Sequence, residues 1–329
     1  MRALPALIAV LLAAAGLAAC GSSDNNSSSG GGSSSTATPA STPASGGQIQ
    51  KNAANAKVSL KIGSKNFTEQ RVLGEIFAQG LAAAGYKTST DLSLADENTA
   101  LKALKGGQIS AYPEYTGTIL GSFFNLPASK IPTDPQQAYE LAKGKFAKQN
   151  ITEFPPTPFT DSNEVAVLPA TAKKYGLKNI SDLSKVAGKL VLYGTPECRQ
   201  RLDCLLGLQK VYGLKFKKFV PVSADQRHEV LLDKKADVSI VFTTDPQIKR
   251  NHEVLLQDDK HMFPPYQSTL LMKDATAQAA GPDLAKVVDM LQKPLTDDAM
   301  QELDARVDLD KKTPAEVAKE YLSETGLVK

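Results

Sequence analysis

The segment from Tyr112 to Thr118, which reads Tyr-Pro-Glu-Tyr-Thr-Gly-Thr, brings aromatic rings, hydroxyl groups and backbone amides close together. It follows a predicted strand at 109–112 and precedes an apolar helix start at Ile119. Groups at the carboxyl end of a strand in an open α/β sheet commonly face a ligand cleft. Rings and hydroxyls therefore suit the capture of a small solute, although the run also fits a Pro-Glu turn whose tyrosines pack into the core.

The rest of the sequence offers little that could perform catalysis. The three histidines, His228, His252 and His261, lack the His-Glu-x-x-His spacing of zinc proteases. The chain has no Gly-x-Ser-x-Gly elbow, phosphate loop or dinucleotide fingerprint. Its net charge of +3 is spread without a basic block, which argues against a nucleic-acid partner. The sequence predicts a binding protein without a cofactor or metal, not an enzyme.

The elements that must position these residues alternate between strands and helices, which predicts an α/β fold with a largely parallel sheet. The first helix is the clearest, because apolar residues recur at helical spacing after Thr68, which we expect to be its N-cap. The first part of the chain predicts strands at 58–62, 88–94 and 109–112, and helices at 68–84, 98–104 and 135–148.

Two proline-rich segments, 154–158 and 263–266, interrupt this alternation. Proline removes a backbone donor and stops regular structure, so we expect both segments to be crossings between two lobes. Lobe 1 would comprise 57–158 plus 266–329, and lobe 2 would comprise 159–265, with a ligand cleft between them. The elements predicted after the first crossing are strands at 165–168, 190–193, 217–220 and 238–242, and helices at 170–175, 202–212, 224–233, 283–291, 297–307 and 314–324.

The N-terminus has the features of a bacterial export signal. Arg2 precedes an apolar run at 3–17 that is too short for a comfortable membrane span, and Leu-Ala-Ala-Cys-Gly follows around Cys20. This ending resembles the bacterial lipobox, in which the cysteine receives a lipid; an ordinary secretory signal cut near Ala19 is the alternative. The Ser-, Gly- and Pro-rich residues 21–56 can bury little apolar surface, which predicts a disordered tether.

Cys198 and Cys204 would lie in an exported, oxidising compartment, where a disulfide is the usual state of two cysteines. Side chains at this spacing point apart on a regular helix, so the bond requires a loop or a helix start between them. A zinc site is the weaker alternative, because no histidine lies near them at ligand spacing.

Several motifs along the chain resemble one family, the glycine betaine/carnitine/choline-binding lipoproteins of ABC importers. The similarity runs from about residue 57 to the C-terminus, and the first two motifs are specific to that family. The resemblance implies a two-lobed periplasmic-binding-protein fold of type II, a Venus flytrap, in agreement with the two predicted lobes. The motifs are Ile-Gly-Ser-Lys-Asn-Phe-Thr-Glu-Gln at 62–70, the run at 112–118, Asp-Ser-Asn at 161–163, Glu-Cys-Arg-Gln-Arg-Leu-Asp at 197–203, Phe-Thr-Thr-Asp at 242–245 and Phe-Pro-Pro-Tyr at 263–266.

The resemblance also implies an aromatic cage for the ligand's cationic head. Tyr115 and Tyr266 match two cage tyrosines, and Asp161 matches a residue of the cage wall. Phe242 stands where the family commonly has tyrosine, so it keeps a π face but loses a hydroxyl. Asn163 stands where some members have tyrosine, and it has no π face. Loss of one ring would cost roughly 1–2 kcal/mol of binding free energy, which indicates weak betaine binding or a different ligand.

Lys65, Thr118 and Arg201 match the residues that meet a ligand carboxylate in that family. The residue types fit this role, since arginine offers a planar fork of donors and lysine a point charge. The alternative is that Lys65 and Arg201 lie at the surface and interact only with solvent.

The expected function is that of a substrate-binding lipoprotein of an ABC importer, held outside the cytoplasm on the cell membrane by lipid on Cys20. Its ligand would be a quaternary-ammonium osmoprotectant such as glycine betaine, choline or carnitine, with proline betaine and ergothioneine as further candidates. Its protein partners would be the permease and ATPase subunits, and the binding protein itself would be a monomer. The alternatives are the same fold binding a non-quaternary ligand such as an amino acid, a lipid-tethered enzyme, and a scaffold protein.

Overall fold

The computed structural model describes residues 47–329 as alternating strands and helices. The predicted export signal, Cys20 and most of the predicted tether lie outside the described residues. Among the residues described, no helix combines the length and apolar character needed to cross a membrane. The strands are β1 (Ser59–Lys65), β2 (Lys87–Leu94), β3 (Ala111–Tyr115), β4 (Ile151–Glu153), β5 (Asn163–Val167), β6 (Val191–Gly194), β7 (Lys218–Pro221), β8 (Val238–Phe242), β9 (Val254–Leu256) and β10 (Ser268–Lys273). The α-helices are α1 (Thr68–Ala83), α2 (Glu97–Gly106), α3 (Thr116–Thr118), α4 (Pro135–Ala147), α5 (Pro169–Tyr175), α6 (Leu205–Val211), α7 (Glu229–Leu232), α8 (Gln247–Arg250), α9 (Asp274–Ala280), α10 (Asp283–Gln292), α11 (Asp297–Asp308) and α12 (Pro314–Glu324).

The strands form two five-stranded sheets with the same pattern of connections, in the orders β2-β1-β3-β10-β4 and β7-β6-β8-β5-β9. β10 runs antiparallel to both of its neighbours, and so does β5, whereas the other strand pairs are parallel. Each reversed strand is the first one after a crossing. The chain leaves each sheet at the carboxyl ends of its parallel strands and enters the other sheet at the edge that faces them. The first strand after a crossing therefore runs away from that edge, opposite to the neighbouring strands. The sheets are mixed, and the predicted two-lobed α/β fold is confirmed.

The two crossings lie side by side. The first runs through residues 154–162 and the second through residues 257–267, as the two proline-rich segments predicted. Thr160 and Gln267 form an isolated antiparallel bridge, and the Asp161 N–H donates to the Tyr266 carbonyl at 3.0 Å. Both connections are short, and they are hydrogen-bonded to each other. The predicted residue limits of each lobe stay a prediction.

The C-terminal helices pack on the first sheet's side, as expected. The apolar face of α1 includes Val72, Leu73, Ile76 and Phe77, which are all fully buried against residues of α10, α11 and α12 in one core. Full burial of each such side chain contributes roughly 1.5–3 kcal/mol. Thr313 caps α12 with a complete capping box, in which its side chain and that of Glu316 bind each other's backbone N–H groups.

Three local predictions differ from the structure. Thr68 is the first residue of α1 and not its N-cap, because Phe67 takes the cap position and the Thr68 hydroxyl donates to Asp308 at 2.6 Å. The predicted helix at 224–233 divides into a short 3-10 turn and α7, and α9 was not predicted. At Thr68 contacts with a distant element outweigh the local capping preference, whereas α9 follows the helix propensity of its alanine-rich sequence.

The last ten residues of the predicted tether, 47–56, are among the described residues and pack on the rest of the chain. Residues 53–57 form a 3-10 helix capped by the Asn52 side chain, and Ile49 is buried in the first core. Asn55 donates to the Ala84 carbonyl at 2.9 Å. Composition alone missed this segment because a single buried isoleucine and a few amide hydrogen bonds are enough to hold it against the body.

Candidate functional site

A cavity of about 550 Å³ lies between the edges of the two sheets, within the usual size range of small-molecule sites. From the first sheet, the carboxyl ends of β1 and β3 reach it through Lys65 and Tyr115. From the second sheet, Phe242 at the end of β8 and Asn163 at the start of β5 reach it. Asn163 pairs directly with Phe242 because β5 runs antiparallel to β8. The reversed strand thus delivers its first residue to the cleft.

All the residues that the sequence singled out for ligand binding line this one cavity. They come from both sheets, from the helix after β3, from the crossings and from the disulfide loop. Their proximity agrees with the predicted site, and their contact with a ligand stays a prediction. The residues are Lys65, Tyr115, Thr118, Asp161, Asn163, Arg201, Phe242 and Tyr266.

Aromatic rings from the two sides of the cleft gather in one part of the cavity. The Phe67 ring centroid lies 5.3 Å from that of Phe242 and 6.4 Å from that of Tyr115. The Lys65 ammonium lies 4.7 Å from the Tyr115 ring centre, and the Arg227 guanidinium lies 4.5 Å from the Phe242 ring centre. These rings already interact with cations of the protein itself, as expected of π faces that attract positive charge.

The hydroxyl groups of both predicted cage tyrosines donate to buried carboxylates. Tyr115 donates to Glu69 Oε1 at 2.6 Å, and Tyr266 donates to Asp203 Oδ2. Hydrogen-bonded groups polarise one another in a poorly solvated interior, so a phenol that donates to a carboxylate gains electron density on its ring. A more electron-rich ring attracts a cation more strongly.

Two further aromatic residues, Phe67 and Tyr193, line the cavity and were missed by the sequence reasoning. Phe67 follows the end of β1 by two residues, inside the motif at 62–70, and Tyr193 is the penultimate residue of β6. A position at the carboxyl end of a strand is the signal that could have found both. They supply rings to a cavity in which Asn163 stands where some members of the family have tyrosine.

Both cations predicted to meet a ligand carboxylate are paired with carboxylates of the protein. Lys65 Nζ lies 2.5 Å from Oε1 of the fully buried Glu114. Arg201 contacts Asp203 at two points, 2.8 Å from Nε and 2.5 Å from Nη2, and its Nη1 lies 3.3 Å from Glu97. Burial raises the pKa of Glu114, and the positive charge of Lys65 offsets part of this increase.

Asp203 connects several residues of the cavity wall. Besides Arg201 and Tyr266, it accepts a hydrogen bond from the Asn163 amide at 3.2 Å. Burial alone would raise the pKa of Asp203, but the charge and hydrogen bonds of Arg201 and the hydroxyl of Tyr266 lower it overall. This role could not be predicted from the sequence, since Asn163 and Tyr266 are 40 and 63 positions from Asp203 along the chain.

A group of buried acids lies beside the rings. Burial raises the pKa of Glu69 to about 7. Burial, together with the neighbouring Glu69 and Asp245, raises the pKa of Asp161 well above its usual range. Burial also acts on Asp245, but its ion pair with Arg227 and its hydrogen bond from His228 lower its pKa overall. Among the described residues, Asp161 has no direct ion pair of the kind that Asp245 forms with Arg227.

The structure joins Cys198 and Cys204 in a disulfide that closes the loop carrying Arg201. Cys198 lies in a short 3-10 turn and Cys204 immediately precedes α6, so the two cysteines are separated by a loop, one of the two arrangements that the bond requires. A Cβ added to Gly194 would lie 2.7 Å from the Cys198 sulfur, which shows how closely the disulfide packs on the end of β6. The bond therefore restrains the position of Arg201 in the cavity wall.

The side chains that line the cavity suit the recognition of a ligand more than catalysis. Within residues 47–329, no group of three or more His, Cys, Asp and Glu side chains has the geometry of a metal site. The rings, the uncompensated Asp161 and the Thr118 hydroxyl can surround a small cation with a polar end, and the cleft can exclude water from it.

Comparison with known proteins gives a consistent result. The family described as the substrate binding domain of ABC-type glycine betaine transport systems matches residues 58–324. The glycine-betaine-binding protein of Pseudomonas aeruginosa is 31% identical over 281 residues, covering 82% of this chain and 89% of that protein. The ergothioneine transport permease/ergothioneine binding protein of Helicobacter pylori is 28% identical, covering 85% of this chain and 50% of that protein.

A solved structure described as a glycine betaine/carnitine/choline ABC transporter is similar in fold and sequence. It superposes with a TM-score of 0.64 at 26% identity, over 80% of this chain and 98% of that one. The match to the family spans both sheets, both crossings and the C-terminal helices. The chain therefore belongs to the family of substrate-binding domains of ABC-type glycine betaine transport systems, which are binding proteins and not enzymes.

Proposed function

We propose that this protein captures a quaternary-ammonium osmoprotectant in the cavity and delivers it to the permease and ATPase subunits of an ABC importer. The observation that carries the proposal is the gathering of Phe67, Tyr115, Phe242 and Tyr266 around one cavity between the two sheets. A trimethylammonium group has no N–H to donate, so charge, shape and dispersion must recognise it. Ring faces provide all three, at about 0.5–2 kcal/mol for each desolvated ring.

Contacts across the cleft support a flytrap mechanism. Arg201 of the disulfide loop reaches Glu97 of α2 at 3.3 Å and the Thr118 hydroxyl at 3.5 Å, and Phe67 meets Phe242 ring to ring. We expect the ligand to dock on the first lobe before the second lobe closes over it. Closure excludes water, which strengthens both the cation–π contacts and the polar contacts of the ligand.

The ligand's polar end lies, in this proposal, against Lys65, Thr118 and Arg201, while its cationic head lies among the rings beside Asp161. Asn163 takes part through its amide, which donates to Asp203 and so fixes the wall rather than adding a ring. The names of the relatives support this ligand class, because the Pseudomonas protein is named for glycine betaine and the solved structure for glycine betaine, carnitine and choline.

Isothermal titration calorimetry with glycine betaine, choline, carnitine and proline tests the proposal. At least one of the three quaternary compounds should bind, and at 100 times its Kd it should raise the free energy of unfolding by about 2.7 kcal/mol in a thermal-shift assay. If proline binds and all three quaternary compounds leave the melting temperature unchanged, the ligand is an amino acid and the proposal fails.

A pair of ring substitutions tests whether the cavity rings carry the binding. Phe242→Leu removes a ring that contacts both Arg227 and Phe67, so we expect at least fivefold weaker binding of the quaternary ligand. Tyr175→Leu is the matched control, because Tyr175 also lies within 4.8 Å of a cation, Lys174, but does not line the cavity. Equal effects of the two substitutions would argue that Phe242 acts only on stability.

The proposal also includes lipid attachment at Cys20, which would hold the protein on the outer face of the cell membrane. The small residues before this cysteine support it. Cys20→Ser should release the protein from the membrane fraction, or leave its signal uncut, and should abolish incorporation of a labelled fatty acid. Unchanged labelling of the variant would show that the lipid, if present, is attached elsewhere.

A further inference from the structure

Exposed lysines gather at the end of the second sheet that lies farthest from the cavity. The carboxyl ends of the parallel strands β6, β7 and β8 lead into the cavity wall, so their amino ends point away from it. β5 runs antiparallel to β8, so α5, which follows it, begins at the same distal end. Nine exposed lysines occupy the segments at this end, and together they form a lysine face: Lys173, Lys174, Lys185, Lys189, Lys215, Lys217, Lys218, Lys234 and Lys235.

Backbone contacts join the segments that carry these lysines. The Lys217 N–H donates to the Leu190 carbonyl at 3.0 Å, and Lys218 pairs with Val191 in the register of β6 and β7. The Asp237 N–H donates to the Val191 carbonyl at 2.9 Å, which brings the turn before β8 to the same place. The lysines are therefore separated along the sequence and brought together by the fold, so the chain contains no contiguous basic block.

Acids do not balance the charge of the lysine face. Three acids lie in the same segments, Asp182, Asp233 and Asp237. Asp182 and Asp237 accept hydrogen bonds from backbone N–H groups, and Asp233 pairs with Lys235. Among the described residues, the other eight lysines form no ion pair. The excess of positive charge at this end is larger than the net charge of the whole chain, which is +3.

The composition of the lysine face favours one kind of partner. Interfaces between proteins are enriched in arginine and aromatic residues and depleted in lysine. The cations of the lysine face are all lysines, and the neighbouring rings of Tyr175 and Phe216 pack on the second core instead of standing free. Flexible point charges of this kind suit a surface of many mobile anions, such as the headgroups of anionic lipids, better than a shaped protein site.

Protection of an edge strand is a simpler role for some of these lysines. β7 is the first strand of its sheet, and lysines on such strands hinder pairing with another chain. This role accounts for Lys215, Lys217 and Lys218, which lie on β7 or just before it. It does not account for the other six lysines, which lie in segments next to β5, β6 and β8.

The chain before the described residues is long enough for the lysine face to reach a membrane. The body begins at the first core, in which Ile49 is buried, so a chain anchored at Cys20 must extend past the body. The roughly 26 residues between Cys20 and residue 47 span at most about 90 Å. A body of about 280 residues is roughly 50 Å across, which is shorter than this limit.

We propose that the lysine face docks on a bilayer that contains anionic lipids and holds the cavity away from the headgroups. Each lysine near such a surface adds to the attraction, and salt weakens it by screening. No residue of the lysine face lines the cavity, so the docking is independent of the ligand and of the proposed function. It provides a second attachment beside the lipid predicted at Cys20.

Cosedimentation with lipid vesicles tests the docking. The protein is the chain that remains after removal of the predicted signal, with Cys20→Ser to exclude the lipid. The vesicles contain either phosphatidylcholine alone or an equal mixture of phosphatidylcholine and phosphatidylglycerol. At low salt we expect the bound fraction to be at least fivefold higher on the mixed vesicles. At about 0.5 M salt, where screening is strong, it should fall to the value on phosphatidylcholine.

A charge-reversal variant and a matched control locate the docking surface. The variant Lys185→Glu/Lys189→Glu/Lys215→Glu should lose at least fivefold of its binding to the mixed vesicles. The control changes the net charge equally, at exposed lysines of α2, α10 and α12 that form no ion pair among the described residues: Lys102→Glu/Lys286→Glu/Lys319→Glu. We expect the control to retain more than half of the binding.

The results that overturn the proposal are distinct. Binding to neither kind of vesicle, or equal binding to both, shows that the lysine face serves only solubility or protection of β7. Equal losses in the variant and the control show that net charge acts without a defined surface. If the variant does not fold, as its melting curve would show, the comparison of the two kinds of vesicle with the unaltered lysine face still decides the proposal. None of these results bears on ligand binding in the cavity.

Discussion

Gly117 is packed so closely against a cage ring that one added methyl group should disturb ligand binding. A Cβ built on Gly117 lies 2.6–2.7 Å from three atoms of the Tyr266 ring, whereas ordinary contacts begin at 3.4 Å. The ring must therefore retreat by about 0.8 Å in a Gly117→Ala variant, against the hydrogen bond from its hydroxyl to Asp203. Overpacking of this kind typically costs about 1–3 kcal/mol of stability.

The effect on binding follows from the displaced ring. Loss of one well-placed ring contact with a cation costs about 1–2 kcal/mol, which corresponds to roughly 5- to 30-fold weaker binding. Calorimetric titration with a quaternary compound that binds the unaltered protein measures this loss, and a melting curve measures stability separately. Gly121→Ala is the matched control, because it lies four residues further along the chain and its added Cβ has nothing within 4 Å.

A double substitution tests the cause. In a Tyr266→Leu background the ring is absent, so adding Gly117→Ala should weaken binding much less than it does in the unaltered protein. Residues in contact are expected to be non-additive in this way. If Gly117→Ala binds the ligand within twofold of the unaltered protein, or if its effect is the same with and without Tyr266, the close contact does not position the ring and the reasoning is wrong.

Three more predictions concern the ring, the acid and the disulfide of the site. Phe67→Leu should weaken quaternary-ammonium binding about fivefold while keeping an apolar side chain, and calorimetry showing no loss would exclude Phe67 from the cage. The folded-state pKa of Glu69, about 7, lies above its reference value of 4.5, so its protonated form stabilises the fold at low pH and up to about 3 kcal/mol is lost as pH rises from 4.5 through 7. Glu69→Gln should remove this dependence, and melting temperatures at pH 5 and pH 8 that change as much in the variant as in the unaltered protein would contradict the assignment. Replacing Cys198 and Cys204 by serine should cost about 2 kcal/mol of stability and weaken binding, whereas a mass of the untreated protein that does not rise by two hydrogens on reduction would show that the disulfide is absent.

The alternation of strands and helices and the two proline breaks could be predicted from the sequence alone. Both depend on properties of neighbouring residues, such as the periodic apolar face of α1 and the missing donor of each proline. The sequence did not predict β10 at all, and it did not predict the reversal of β5, because the direction of a strand depends on where the chain enters the sheet. It also missed the packing of Ile49, which depends on a surface formed by residues far away in the chain.

The residues of the candidate site also divide into those that were predicted and those that were missed. The resemblance to the family selected eight residues, and all of them line one cavity. The same reasoning missed Phe67 and Tyr193, although both also lie at the ends of strands. Attention to position, rather than to the motif alone, would have included them.

The sequence by itself determined the class of fold, the two crossings and the chemical types available for a site: rings, hydroxyls, acids and cations. Only the tertiary structure decided that Lys65 pairs with Glu114 and that Arg201 pairs with Asp203 and Glu97. Secondary structure follows from short-range periodicity, which the chain displays in order. The pairing of buried charges depends on distances of a few ångströms between residues that are far apart in sequence, and these distances exist only once both sheets have formed and met at the cleft.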